Sequence, residues 1–221
     1  MSTTPWLLLQ LADGTFPSGG FAHSSGLEAR TVLGSSGRPM TPDDVARFLE
    51  QSLRQLGRAA LPFVRRAAEA PEELAAIDEA YDATLPLLGP NHASRAQGRA
   101  LASAAARVWD RVASVGAHAR GGPAHHAPVF GAIFGTLGIS AEDAVAAYLH
   151  GSARGILSAS VRLGLLGPLE AQRMHAERGA LMDEIRDAAR ASRIDDAAQT
   201  APLLEVFAAL HDRLDGRMFQ S

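Results

Sequence analysis

Apolar residues return every third or fourth position along almost the whole chain, the spacing that gathers them on one face of an α-helix. No run of alternating apolar and polar β-branched residues marks a strand, and no fixed-period repeat occurs. A short helix is expected around Trp6 to Leu11, then a Gly/Pro/Ser loop from Asp13 to Gly20 and a second helix from Ser25 to Leu33. Gly34 to Pro39 breaks it, and Thr41-Pro42-Asp43-Asp44 opens a third. Thr41 can cap, Pro42 takes the tolerated first position, and the two acids favour the positive helix end. Val45, Phe48, Leu49, Ser52, Leu53 and Leu56 form the apolar stripe behind it, and Pro62 should kink or stop the helix. Pro71 starts the next helix, to about Leu85; Gly89-Pro90-Asn91 reads as a turn, and Ser94 to about Val115 as one long small-residue helix.

Gly121-Gly122-Pro123 interrupts that helix, and His126 to Leu137 follows as a short one ended by Gly138. Ser140-Ala141-Glu142-Asp143 resembles a capping box, with Asp in place of the usual Glu or Gln. The helix it opens runs to about Leu163, and Val145, Leu149, Ser152, Ile156, Ala159 and Leu163 share one face. Its interior glycines each cost up to about 1 kcal/mol relative to alanine. Close packing of neighbouring helices offsets such a cost most easily. The pattern therefore predicts a central buried helix with Gly155 at a helix crossing. A helix from Leu169 to about Ala191 and a polar connector from Arg193 to Gln199 lead to a last helix starting at Thr200. Leu203, Phe207, Leu210 and Leu214 form its stripe, and Gly216 ends it. The expected fold is all-α, a single-domain bundle of roughly eight to ten helices spanning residues 1–221, with a flexible tail at about 216–221.

Composition narrows the chemistry. The 221 residues are 47% hydrophobic and 20% charged, a globular balance rather than a disordered one. The net charge of −3 and the 5% aromatic content leave no electrostatic footprint for nucleic acid. Cysteine is absent, which removes disulfides, thiolate metal sites and cysteine nucleophiles. Lysine is absent too, which excludes a P-loop GTPase and enzymes built on a Schiff-base or carbamylated lysine. Trp6 to Leu11 lacks the flanks of a signal peptide, and no apolar run is long enough to span a membrane. A cytoplasmic location is expected.

Few residues converge on a reaction. The loop Pro17-Ser18-Gly19-Gly20-Phe21 lacks the lysine of a phosphate cradle and reads as a tight loop whose glycines adopt positive φ. His125 and His126 are adjacent, so on a helix they point about 100° apart and do not chelate one ion. They read as solvated or capping residues beside Pro123, with pairing to a symmetry mate as the alternative. No other metal-ligand spacing is present. His150, Arg154, Ser158 and Arg162 recur every four residues as a polar ridge. It either contacts a partner or lines a polar passage, or it is held by internal salt bridges to acids such as Glu142 or Glu170. Glu72, Glu73, Asp78, Glu79 and Asp82 read as a solvated helix face.

Leu8-Leu9-Gln10-Leu11-Ala12, followed by Phe16-Pro17-Ser18-Gly19-Gly20-Phe21-Ala22-His23-Ser24-Ser25-Gly26-Leu27-Glu28, resembles the N-terminal signature of the UreF family of urease accessory proteins. Pro17, Gly19, Gly20, Phe21, Ser24, Gly26 and Glu28 are its motif positions. Three later stretches also resemble the family, in order: Ser94 to Leu101, His126 to Gly164 with Leu166-Gly167-Pro168, and Pro202 to Ser221. The region from Leu33 to Asn91 matches only in helical character. The resemblance implies a non-catalytic, all-helical, dimeric urease maturation factor. It would bind the accessory protein UreD, also called UreH, recruit or regulate the GTPase UreG, and assist nickel delivery to apo-urease. It implies no firmly bound cofactor, with nickel passing only transiently, and neither nucleic acid nor membrane as a partner. The family-like end maps onto Arg217, Met218 and Phe219 as partner-binding residues, joined as candidates by His150, Arg154 and Arg162. A generic helical interaction scaffold unrelated to urease is the alternative.

Overall fold

The computed structural model describes residues 5–34, 38–214 and 216–219, the side chain of Asp212 excepted. Among these residues there are twelve α-helices and no strand: α1 (Pro5–Ala12), α2 (Leu27–Leu33), α3 (Pro42–Ala59), α4 (Leu61–Glu69), α5 (Leu74–Asp82), α6 (Leu88–Val108), α7 (Ala113–Gly121), α8 (His126–Thr136), α9 (Ala141–Arg162), α10 (Pro168–Glu177), α11 (Gly179–Ala189) and α12 (Pro202–Leu210). The count exceeds the expected eight to ten because two long segments are each broken once. The helix foreseen over 94–115 stops at Val108, where Trp109 turns extended at φ −131°, ψ 113° and stacks its ring on Phe16 at 5.7 Å. The segment 169–191 breaks at Arg178, between α10 and α11. Gly89-Pro90-Asn91 is not a turn but the first turn of α6, where the missing N–H of Pro90 has no intrahelical partner to lose. The break after α2 includes residues 35–37, which lie outside the described residues.

The helix starts follow the capping chemistry. Thr41 Oγ1 accepts the Asp44 N–H while the Asp44 carboxylate accepts the Thr41 N–H, a complete capping box on α3. Ser140 Oγ accepts the Asp143 N–H at 3.1 Å to start α9. Pro62 stands in the first turn of α4, so the chain ends α3 and begins a new helix there.

The core centres on α8, where Val129, Ala132, Ile133 and Phe134 are fully buried. It packs against α4, α5, α6 and α9. The close crossing is between α8 and α4. A Cβ on Gly131 would lie 2.2 Å from the Val64 carbonyl oxygen, and one on Gly135 2.1 Å from that of Ala68. No side chain fits at either position. α9 is central, touching α1, α3, α4, α8, α10 and α11, and Val145, Leu149, Ile156 and Ala159 of its stripe are buried. The expected crossing at Gly155 is absent, however. Cβ atoms on Gly151 and Gly155 would meet nothing within 4 Å, because both glycines face a cavity. The stripe of α12 also differs from expectation. Leu203 is 70% exposed, Leu204 packs against the core in its place, and Phe207 lies against the Arg30 guanidinium at 5.5 Å.

Candidate functional site

The N-terminal loop, α3, α9 and α12 enclose a cavity of about 640 Å³. Arg154, Ser158 and Arg162 of the polar ridge line it beside Gly151 and Gly155, so the absence of side chains on α9 keeps it open. Arg154 Nη1 donates to the Ala12 carbonyl at 2.8 Å, and Arg162 Nη1 to the Phe21 carbonyl at 2.6 Å. The ridge therefore fastens the N-terminal loop to α9. The alternative of internal salt bridges to Glu142 or Glu170 fails: Glu142 pairs with Arg65 and Arg190 at 2.9 and 3.2 Å, and Glu170 accepts the Gly167 N–H. His150 is not on the cavity wall; its ring meets that of His175 edge-on, 5.0 Å between centroids. Burial lowers the pKa of both rings, with the Arg154 charge adding to the effect.

Two histidines do face the cavity, His23 from the loop and His126 from the start of α8. Burial pushes both down to about 4, reinforced at His23 by His211 and at His126 by His23. Tyr148 beside His126 is pushed up by burial, and so is Glu205, against the opposing bond from Gln55. Among the described residues no group of three or more His, Asp or Glu is placed to hold a metal ion.

The motif loop and the chain's end meet at one carboxylate. Glu28, buried on α2, accepts the Met218 N–H at 2.7 Å and the Phe219 N–H at 3.2 Å, and pairs with His211 Nε2 at 2.8 Å. Burial, which would raise its pKa, is outweighed by the Met218 N–H, His211 and the Phe219 N–H, so the carboxyl stays below its ordinary value. Phe219 is only 4% exposed, and the Arg162 guanidinium lies 4.2 Å from its ring and 4.0 Å from that of Phe21. Arg217 and Met218 are exposed, while Gln220 and Ser221 lie outside the described residues. The other motif positions build this junction. Ser24 Oγ accepts the Glu28 N–H, Gly19 and Gly26 take positive φ, and Gly26 backs onto the α12 backbone, where a Cβ would lie 3.1 Å from the Ala208 nitrogen. Gly20 keeps an ordinary φ, and Pro17 is an exposed part of the cavity wall.

A second buried network lies where an acidic face was expected. Asp78 is not solvated but fully buried, and its carboxylate accepts the N–H groups of Ala124 and His125 at 2.6 and 2.9 Å, with His118 Nε2 at 2.7 Å. It accepts the N–H of the N-cap residue His125 and of Ala124 just before it, placing a negative charge at the positive N-terminal end of α8. Asp82, one turn on, binds Arg95, Asn91 and His125, and the Arg95 guanidinium first among them holds its carboxyl far below the usual range. His125, expected to be solvated or capping, stands at the N-cap position of α8, but its ring makes no cap bond and is buried between Asp82 and Ser94, while His126 is half-buried against Phe130 and Tyr148. The i, i+4 spacing of Asp78 and Asp82 is the one signal that could have singled them out. For His211 and His175 the chain offered none, because their partners stand 183 and 25 positions away.

Fold and site thus define an all-helical protein in which buried polar groups join distant segments of one chain. The UreF family model matches residues 40–178. Urease accessory protein F of Arabidopsis thaliana is 35% identical over 232 residues, covering 100% of this chain and 94% of that protein. Urease accessory protein F of Oryza sativa subsp. japonica is 32% identical, over 97% of this chain and 84% of that protein. The UreF of Mycobacterium sp. (strain JLS) is 30% identical, over 99% of this chain and 100% of that protein. The chain belongs to the UreF family. The family model covers 40–91, where the sequence resembled the family only in helical character, and the relatives extend the likeness to both ends.

Proposed function

We propose that this chain is a non-catalytic, cytoplasmic urease maturation factor. As a homodimer it binds UreD, also called UreH, and through that complex recruits or regulates the GTPase UreG for nickel delivery to apo-urease. Family membership supports the urease role. The observation that carries the partner assignment is the Glu28 junction, where the N-terminal motif and the family-like tail dock on one carboxylate. Phe21 and Met218, on the two segments joined there, leave apolar side chains 70% and 53% exposed, as a partner-binding surface requires. Nickel is cargo in this scheme, and the ridge-lined cavity is the candidate for its transient passage.

The test is a truncation lacking Arg217 to Ser221, assayed by thermal melting, by pull-down of UreD and UreG, and by urease activation. The expected result is a folded dimer that recruits partners poorly and leaves urease nickel-poor. Normal activation would remove the tail from the binding surface, and full-length protein capturing neither partner would favour the generic scaffold. Sedimentation showing only a 23.2 kDa species would defeat the dimer.

A further inference from the structure

We propose that the outer face of the α6–α7 pair is a docking surface for an acidic segment of another protein. Its arginines neither line the cavity nor join the Glu28 junction, and the surface does not depend on the urease role.

The charge distribution is the first support. Between residues 83 and 141 the chain carries five arginines and one acid, Asp110, although its net charge is −3. The net figure therefore conceals a basic region on an otherwise acidic molecule. Arg95 is bound by Asp82, which leaves Arg99, Arg107, Arg111 and Arg120. All four are exposed, and among the described residues none forms an ion pair, with Asp110 or with any other acid. Exposed arginines elsewhere find acids: Arg38 and Arg47 hold Asp44, Arg54 holds Glu50, and Arg190 holds Asp187.

Packing gathers the four. α6 and α7 lie side by side, and a Cβ on Gly116 would stand 2.8 Å from the Ala106 Cβ and 3.9 Å from Arg120 Nη1. The Arg120 guanidinium is thus drawn back to the end of α6 that carries Arg107. Arg111 stands on the 110–112 turn that connects the two helices. Arg99, about 12 Å up α6 from Arg107, donates to the Gly122 carbonyl at 3.2 Å, just past the end of α7. Helix dipoles explain two of these charges, since Arg107 and Arg120 occupy last turns, where a cation is favoured. Arg99 is in mid-helix, and Arg111 precedes the start of α7, where a cation is disfavoured. Like charges gathered without a counter-charge weaken the free fold, and an acidic partner removes that cost.

The occupant follows from the chemistry. The planar guanidinium fork matches carboxylates bidentately. Val108, 53% exposed beside Arg107, adds an apolar contact of the kind that protein interfaces use at their centre. A nucleic acid fits less well. The acidic remainder of the molecule repels phosphates, and Trp109, the nearest aromatic along the chain, is stacked on Phe16 rather than offered to a base.

The test is fluorescence anisotropy of the full-length chain with a labelled, alanine-based helical peptide carrying glutamates along one face. Its glutamine counterpart and a short duplex DNA serve as competing probes. The wild type is expected to bind the glutamate peptide, more weakly as salt rises, and to ignore the glutamine one. Arg107→Gln/Arg111→Gln/Arg120→Gln should lose about tenfold or more in affinity. Arg58→Gln and Arg173→Gln, which remove exposed arginines of α3 and α10, should change little. Circular dichroism checks each fold; should the triple variant fail to fold, Arg111→Glu alone, at a side chain with no bond to lose, should still weaken binding several-fold. Binding unchanged in a folded variant, or no binding by the wild type, would overturn the proposal. So would duplex DNA bound more tightly than the peptide, or a triple variant that falls from dimer to monomer, since a second copy would then occupy the face.

Discussion

Gly131→Ala and Gly155→Ala add the same methyl group to interior positions of two buried helices, and the structure assigns them opposite signs. On α8, the new Cβ at 131 would stand 2.2 Å from the Val64 carbonyl oxygen and 3.0 Å from the Ala67 Cβ. Both neighbours belong to the α4 backbone or its first side-chain atom, so neither can swing aside. The helices must part by about 1 Å to restore contact distance, in an interior packed as densely as an organic crystal. Overpacking of this kind costs about 1–3 kcal/mol, against a gain in helix propensity of up to about 1 kcal/mol. With rigid backbone on both sides the loss prevails, and we expect Gly131→Ala to be destabilised by about 2 kcal/mol. On α9, a Cβ at 155 would meet nothing within 4 Å and would enter the cavity. Only the propensity gain remains there, so Gly155→Ala should be neutral to about 1 kcal/mol more stable. Urea denaturation followed by circular dichroism, with the slope checked for two-state behaviour, measures both. A Gly131→Ala protein as stable as wild type would refute the α4–α8 crossing. A Gly155→Ala protein weakened by more than about 1 kcal/mol would refute the open wall of the cavity.

Asp78→Ala should destabilise the fold by about 2–5 kcal/mol, because two backbone N–H groups at the start of α8 lose their acceptor inside the core. A loss near zero in the same denaturation assay would show that α8 does not need this cap. His23 and His126 give stability an acid slope: the unfolded chain protonates them near 6.5, the folded chain only near 4. Stability should be full above about pH 6.5 and fall as pH drops toward 4, by about 3 kcal/mol per ring. His126→Phe should flatten that slope in melts taken across the window, and an unchanged slope would exclude His126 as a contributor. Glu28→Ala should release the tail and raise its susceptibility to limited proteolysis while the core melts as a folded unit. Equal protection of the tail in both proteins would contradict the carboxylate's role.

The sequence by itself determined the helices and most of their ends, because those depend on neighbours within one or two turns. Thr41 with Asp44, Ser140 with Asp143, Pro62 and Gly138 act locally, and each stands at a helix boundary in the structure. The N-terminal motif and the tail were also legible, as a resemblance. The burial of a given polar face was not, since helical spacing states which residues share a side and not what covers that side. Asp78 and Leu203 exchange their expected places for this reason: one meets the N-terminus of α8, and the other meets solvent. Glycine carries the same ambiguity. A missing side chain permits a close crossing at Gly131 and Gly135 and an open wall at Gly151 and Gly155, and only the position of the facing helix distinguishes them. The Glu28 junction was the least legible of all. It brings residue 28 to residues 211, 218 and 219 through hydrogen bonds, which leave no periodic trace along a chain and exist only once the helices between them have packed.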